Sequence, residues 1–284
     1  MSGEKESRKS RFERVKAPPP LVLQPRDETI LTLVSEFRLL SREQLQRLLD
    51  FPCVTRINVR LKRLYDRCYL SRRFLPTLKG SPKVLYFLGP RGIGTVSDSL
   101  GIDSLVFERE MKNISEGKDL FLNHQLSLNV VRISFILAIK NHPQIALERW
   151  LSEKDCPIEI PSERGNRALR PDGYFCFSIQ RRLYGFFLEV DCSTMSNGRI
   201  KSKVMAYLNY AKSGLYEKDF GLKYFRVLFV TKTQARLLNL KSTIEKQTDR
   251  IFQLTTIDQL SGNPIQDRVW MRPGNLGLFP LLEG

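Results

Sequence analysis

The sequence predicts an α/β (α+β) protein with two domains: a helical N-terminal domain that ends in a β-hairpin, and a C-terminal domain built on a mixed sheet. Two observations lead to this class. Apolar residues recur at helical spacing through the first half, whereas short strand-like runs alternate with helical patterns after residue 143. The 284 residues, of which 42% are hydrophobic, are enough to form two cores.

The chain is strongly basic, with 46 Lys and Arg against 30 Asp and Glu and a formal net charge of +16. Such an excess is typical of proteins that bind a polyanion, most simply nucleic acid. The sequence shows no apolar run long enough for a membrane span and no apolar segment near Met1 that would act as a signal peptide. Five cysteines without zinc-ligand spacing indicate reduced thiols. We therefore expect a cytoplasmic protein that binds double-stranded DNA and no membrane.

Histidine is scarce, since the chain contains only His124 and His142. They are not four residues apart, which excludes the paired histidines of an HExxH zinc protease. A Ser-His-Asp hydrolase stays formally open, although no Gly-x-Ser-x-Gly motif occurs.

Residues 1–25 carry several basic side chains, show no apolar periodicity and end near a run of three prolines. This composition predicts a disordered basic arm. Whether the arm adds affinity for phosphates or only solubility stays open.

Three short helices are predicted after residue 26. The first has an apolar face formed by Ile30, Leu31, Val34 and Phe37. The second starts at a capping box of Ser41 and Gln44, and Thr55 is expected to cap the third. The third helix has a buried stripe formed by Ile57, Leu61 and Leu64.

Two predicted strands follow, Leu70–Leu75 and Lys83–Leu88, and the turn between them contains Gly80. Three helices and a β-hairpin form a winged helix-turn-helix, in which the third helix enters the major groove of DNA. We therefore predict a winged-helix DNA-binding domain at residues 26–110. A basic face that contacts protein is the alternative. The predicted DNA-binding residues are Arg56, Arg60, Lys62, Arg63, Arg67, Arg72, Arg73, Lys79 and Lys83.

A second domain is predicted at residues 120–260, followed by a C-terminal tail at 261–284 that is expected to lie on the surface. A long apolar helix at 121–140 comes first. The predicted strands are Ile145–Leu151, Gly173–Ile179, Tyr184–Asp191, Phe225–Thr231 and Ile251–Thr256. Helices are expected at 196–213 and 233–246.

Three carboxylates mark the candidate chemistry of this domain. Asp172 precedes one predicted strand, and alternation places Glu189 and Asp191 on the same face of the next. Carboxylates at the end of an apolar strand are costly unless they are paired, hydrated or bound to a metal. We therefore expect all three to be catalytic residues and ligands of Mg²⁺ or Mn²⁺, which prefer oxygen. Such a metal would activate a water molecule for attack on a phosphodiester bond.

Two further residues are assigned to the same site. Lys203, on the following helix, would stabilise developing negative charge, and His124 would be a further ligand or proton carrier. Plainer interpretations stay open: Asp172 caps a turn, the other two carboxylates pair with basic residues, and His124 is structural. The basic residues considered for that pairing are Arg181, Arg182 and Lys203.

The order of these residues resembles the PD-(D/E)xK nuclease superfamily, with Pro171-Asp172, a hairpin and then Glu189-Val190-Asp191. The superfamily motif has lysine where this chain has Asp191, and Lys203 would replace it, with Lys201 as the less favoured alternative. A closer resemblance, over about residues 26–260, is to the replication-relaxation family of plasmids and mobile elements, related to MobC-type relaxases. The segments that carry it are RDETILTLVSEFRLLSREQLQRLL, NHQLSLN, RPDGYF, FFLEVDCSTMS, KVMAYLNY and FRVLFVTKTQAR.

The resemblance implies a winged helix joined to a restriction-endonuclease-like mixed-sheet domain, which acts in plasmid replication or mobilisation. The leading hypothesis is a metal-dependent DNA endonuclease that nicks its target. The alternatives are a catalytically inactive DNA-binding initiator or regulator, and a TnsA-like nuclease subunit of a transposition system. Partners would be replication, mobilisation or transposition proteins, and a homodimer is left open. Tyr207 and Tyr210 are interpreted as packing residues, with a tyrosine nucleophile as the less favoured alternative.

Overall fold

The computed structural model describes residues 13–76, 82–160, 167–193 and 195–282. The chain divides into two compact units, Met1–Leu126 and Ser127–Gly284. The division falls within a long helix, α6 (Asp119–Lys140). The polar stretch 101–120, which includes the predicted end of the first domain at residue 110, contains a helix of its own, α5 (Ser104–Ser115).

The first unit combines short helices with a small antiparallel sheet. Its other helices are α1 (Pro25–Glu36), α2 (Arg42–Leu49), α3 (Val54–Asp66) and α4 (Pro90–Leu100). Its strands are β1 (Leu40–Ser41), β2 (Leu70–Leu75) and β3 (Lys83–Leu88), in the sheet order β1-β3-β2. This is the predicted winged helix-turn-helix, with the predicted strand bounds.

Local signals explain where these helices begin. The capping box at α2 is present, since Ser41 Oγ accepts a hydrogen bond from Gln44 N at 3.2 Å and Gln44 Oε1 accepts one from Ser41 N at 3.0 Å. Helix α3 begins one residue before the expected cap, after an extended Cys53. The apolar stripe predicted for α3 is fully buried.

A buried ion pair connects α1 to α3. The Asp27 side chain is fully buried and accepts hydrogen bonds from Gln24 N at 2.8 Å and from the Arg60 guanidinium. Burial of an unpaired carboxylate would be strongly unfavourable, so Arg60 is needed for the stability of this unit.

The segment at residues 13–24 is packed against the first unit. Arg67 Nε, at the end of α3, donates a hydrogen bond to Pro19 O at 2.8 Å, and the Arg14 guanidinium lies 4.0 Å from the Tyr65 ring centroid. The prediction of a disordered arm is therefore wrong for this segment, because backbone carbonyls and cation–aromatic contacts hold it without apolar periodicity. Residues 1–12 lie outside the described residues.

The second unit is built on a five-stranded mixed sheet of order β10-β9-β8-β7-β4. Its strands are β4 (Ile145–Ser152), β7 (Gly173–Ile179), β8 (Arg182–Asp191), β9 (Phe225–Thr231) and β10 (Phe252–Thr256). Pairing is antiparallel across β4, β7 and β8, and parallel across β8, β9 and β10. A separate hairpin consists of β5 (Ile158–Ile160) and β6 (Arg167–Leu169).

Helices cover both faces of this sheet. One core contains Phe187 and Phe229, which pack with α7 (Asn197–Ser213), α8 (Leu215–Phe220) and α9 (Gln234–Glu245). Leu188 and Val190 lie in the core of the opposite face, with residues of α6. The α/β class with a mixed sheet is therefore confirmed.

Helix α6 is, within the described residues, the one helix long and apolar enough to cross a membrane by length and composition. Core helices of soluble proteins share these properties. Its Phe135 is fully buried and its ring centroid lies 4.6 Å from that of Phe175 in β7. The contacts of α6 are thus those of a core helix.

The chain after Ser261 belongs to the core of the second unit. Trp270 and Leu281 are fully buried in it, and Trp270 Nε1 donates to Pro264 O at 2.7 Å. The expectation of a surface tail is wrong for this segment: its few apolar residues are too widely spaced to show a period, yet they fill one face of the sheet.

Candidate active site

Strand β8 carries two acidic side chains into the interior of the second unit. Glu189 and Asp191 are 0% and 1% exposed. They share a strand face with Phe187, because alternate residues of a strand point the same way. At these two positions the strand pairs with β9, opposite Phe229 and Thr231, whereas its ladder with β7 ends at Leu188.

Both oxygens of Glu189 are held by helix α7. Lys203 Nζ donates to Oε2, and Tyr207 Oη donates to Oε1 at 2.5 Å. The two donors are four residues apart and therefore lie one above the other on the helix. The position of α7 is set at its start by Ser196 Oγ, which accepts a hydrogen bond from Arg199 N at 3.4 Å.

The electrostatics of this group follow from its burial. Burial raises the pKa of Glu189 to about 7, against the opposing charge of Lys203, and the negative charge of Asp172 raises it further. Burial alone would lower the pKa of Lys203, but the charges of Glu189 and Asp172 outweigh it and leave that pKa raised. Glu189 is therefore the group that changes charge near neutral pH.

Asp172 lies next to Glu189. It is partly buried just before β7, and its Oδ2 accepts a hydrogen bond from Val190 N at 2.7 Å. Its own backbone N donates to Leu188 O at 3.0 Å. Asp172 thus bonds across to β8 on both sides of Glu189, where the plainer interpretation had it capping its own turn.

Asp191 is held by a different helix. Its Oδ2 accepts a hydrogen bond from Arg236 Nε, and its Oδ1 accepts one from Ser193 N at 3.1 Å. Arg236 lies in the first turn of α9 and also donates to Met195 O at 2.6 Å. Arg236 was not predicted from the sequence. The feature that could have indicated Arg236 is the parallel pairing of β8 and β9. Residues at the ends of two parallel neighbours, such as Asp191 at the end of β8 and Arg236 after β9, lie at the same edge of the sheet.

The two tyrosines of α7, for which a nucleophilic role was the less favoured alternative, are unsuited to that role. Tyr207 is fully buried, and burial together with the Glu189 charge raises its pKa well above the ordinary value. Tyr210 is also fully buried, and its Oη donates to Asp219 Oδ2 at 2.7 Å. Their interpretation as interior residues agrees with the structure.

His124 is partly buried in α6 and belongs to the first unit, whereas the three carboxylates belong to the second. Its role as a ligand or proton carrier stays a prediction.

Two oxygen donors of the candidate metal site, Asp172 and Glu189, lie side by side, and one or two carboxylates are what Mg²⁺ commonly uses in proteins. Among the described residues, no group of three or more His, Cys, Asp or Glu side chains is arranged to hold a metal. The oxygens of Asp172 and Glu189 are of the kind that a hard divalent cation uses, and Glu189 would have to exchange a hydrogen bond from Lys203 or Tyr207 to coordinate one. Asp191 fits less well, because Arg236 neutralises it.

The cations predicted to contact DNA fall into two groups. Several make contacts within the first unit: Arg60 with Asp27, Arg67 with Pro19 O, Arg72 with the Tyr65 ring, and Arg73 with Gly117 O and Asp119. Lys62 pairs with Asp66 at the surface. Arg56, Arg63 and Lys83 are exposed, and in the described part of the chain no ion pair involves them. Lys79 lies outside the described residues.

The sequence matches the model of the Replication-relaxation family over residues 31–223, a span that includes most of the winged helix, the three carboxylates, Lys203 and Tyr207. The chain belongs to the replication-relaxation family. No curated protein matches it. The family match thus confirms the family resemblance seen in the sequence.

Two solved structures are similar to this replication-relaxation protein. One is restriction endonuclease FokI, with 13% identity, a TM-score of 0.31 and coverage of 84% of this chain and 44% of that chain. The other is FokI bound to DNA, with 15% identity, a TM-score of 0.25 and coverage of 85% and 45%. The chain therefore spans less than half the length of these endonuclease chains.

Proposed function

We propose that this protein binds double-stranded DNA through its first unit and hydrolyses a phosphodiester bond, with Mg²⁺ or Mn²⁺ at Asp172 and Glu189. The host process would be replication or mobilisation of a plasmid or mobile element, in the cytoplasm. The observation that carries the proposal is the buried cluster of Glu189, Lys203 and Tyr207 beside Asp172. Burial of such charged groups lowers the stability of the fold, because they lose their hydration. Ionisable groups with shifted pKa values also concentrate at functional sites.

In this proposal, each residue around the carboxylates has a separate role. A divalent cation would supply Lewis acidity and an activated water when bound. Lys203 places a positive charge next to the carboxylates, where it stabilises negative charge on a phosphate. Tyr207 fixes the orientation of Glu189, and the Asp191–Arg236 pair holds the end of β8 against α9.

A second candidate function has an observation in its favour. Glu189 and Asp191 are paired with cations of the chain itself, and Asp172 accepts a backbone hydrogen bond. An inactive second unit that supports a DNA-binding initiator or regulator would have this satisfied arrangement. A supercoiled-plasmid cleavage assay with Mg²⁺ or Mn²⁺ separates the two. Nicking by the wild type that is lost in Lys203→Ala supports hydrolysis, whereas tight binding without nicking supports the regulator.

Metal binding is expected to strengthen as the pH rises through about 7, the pKa of Glu189. Below this pH the carboxyl group is protonated and is a poor ligand, whereas above it the carboxylate carries the negative charge that coordination needs. Affinity for Mn²⁺ without DNA, measured by calorimetry, should be about tenfold higher near pH 8 than near pH 6. An affinity that does not change over this interval would contradict the assignment of Glu189 as a ligand.

DNA affinity is expected to fall when the exposed cations of α3 are removed. Arg56→Ala with Arg63→Ala should make the dependence of log K on log salt shallower by about 1.8, since each lost phosphate contact contributes about 0.9. Arg60→Ala is the informative comparison, because it removes the partner of buried Asp27 and should lower the free energy of unfolding by about 3–5 kcal/mol. Duplex binding against salt, with thermal unfolding of each variant, checks both. An unchanged salt slope in the double variant would refute α3 as the contact surface.

A further inference from the structure

A cleft of about 550 Å³ lies in the second unit, between the end of β6 and the first turns of α7. Lys203 forms part of its lining, so the cleft adjoins the candidate active site. The volume is within the range of sites that bind small molecules or parts of larger ones.

The lining is positively charged. Arg170 and Arg199 join Lys203 around the cleft, and no acidic side chain lines it in the described part of the chain. Arg170 and Arg199 are exposed and enter no ion pair among the described residues. Arginine suits phosphate because its planar guanidinium donates two parallel hydrogen bonds to the oxygens.

Small residues leave space between these cations. Gly198 and Ser202 line the cleft on α7, and a Cβ added at Gly198 would meet nothing nearer than Ser196 Oγ at 4.0 Å. A larger group could therefore be accommodated against this part of α7 without displacing other atoms.

We propose that this cleft binds the sugar-phosphate backbone of one DNA strand beside the bond that is cut, with Arg170 and Arg199 as positioning residues. The inference rests on the proposed function, because it places the substrate strand at the Glu189–Lys203 site. A strand held there is within reach of Lys203, which is shared by the cleft and the candidate active site. Recognition is independent of sequence, since the contacts are to phosphates.

The test measures binding of a single-stranded oligonucleotide to the full chain by fluorescence anisotropy over a range of salt. A single strand is used because the winged helix is expected to favour duplex. Arg170→Ala with Arg199→Ala should weaken binding at least tenfold and make the salt slope shallower by about 1.4, or 0.7 for each phosphate. Lys201→Ala with Lys212→Ala is the matched control: both are exposed cations of α7 that do not line the cleft, and it should retain most of the affinity.

Gly198→Glu is a second variant, which adds a negative charge to the cleft where the structure has room for a side chain. It should weaken binding at least as much as the double arginine variant, with unchanged thermal unfolding. Equal losses in the arginine and lysine variants, or no binding by the wild type, would overturn the inference.

Plasmid cleavage, measured in parallel, separates this inference from the proposed hydrolysis. A wild type that binds through the cleft but does not cut would leave the inference standing and refute the hydrolysis. Cleavage that is unchanged in Arg170→Ala with Arg199→Ala would refute the inference and leave the proposed hydrolysis standing.

Discussion

Glu189→Gln is expected to reduce metal-dependent cleavage of a supercoiled plasmid by at least about 100-fold, because even residues that only support a metal ligand cost 10- to 100-fold when removed. Glutamine keeps the shape of the side chain and an oxygen that accepts from Tyr207. It removes the negative charge that a divalent cation needs. The chain should stay folded, since Lys203 is 20% exposed and reaches water when its partner becomes neutral.

The matched control for this change is Glu148→Gln, an exposed carboxylate on β4 of the same sheet. It should cleave like the wild type. Mn²⁺ binding without DNA provides a second measurement: the wild type should gain thermal stability with the ion, and Glu189→Gln should not. Wild-type cleavage by Glu189→Gln would show that the buried carboxylate has only a structural role.

Arg236→Ala is expected to lower the free energy of unfolding by about 3–5 kcal/mol, because it leaves Asp191 buried without a counter-charge. The Asp191 side chain is 0% exposed, so water does not replace the lost guanidinium. Met195 O also loses a donor. Denaturant unfolding, followed by the fluorescence of Trp150 and Trp270, measures the loss.

A double-mutant cycle with Asp191→Asn isolates the interaction. The double variant should be more stable than Arg236→Ala alone, because the uncompensated charge has been removed. If Arg236→Ala is within about 1 kcal/mol of the wild type, Asp191 is not anchored by Arg236 and its assignment as a metal ligand gains support.

Most helices and strands could be predicted because their side chains repeat with a period that local sequence shows. Strand β8 and helix α7 are examples: alternation around Phe187 and a helical stripe through Val204 and Tyr207 place them correctly. The packing of residues 13–24 and the burial of Trp270 could not be predicted, since they depend on surfaces formed by distant parts of the chain.

The candidate site was predicted in part. The sequence indicated that Asp172, Glu189 and Lys203 belong together, and the structure shows Lys203 bonded to Glu189 and Asp172 bonded to the backbone beside it. The ion pairs between buried acids and distant cations could not be predicted from local sequence, because Asp27 and Arg60 are 33 residues apart and Asp191 and Arg236 are 45 apart. Nothing local distinguishes a cation that contacts DNA from one that neutralises a buried acid.

The burial of Trp270 and Leu281 has a consequence for the order of events during protein synthesis. The first unit is complete once α5 and the start of α6 have left the ribosome, and domains generally fold as units with the N-terminal one first. One core of the second unit, to which α6 also contributes, stays incomplete until residue 281 has emerged. Under the proposed function, a nascent chain, or one shortened by proteolysis before Trp270, would therefore have its winged helix before the core of the second unit is filled, and would compete with the longer chain for the same duplex.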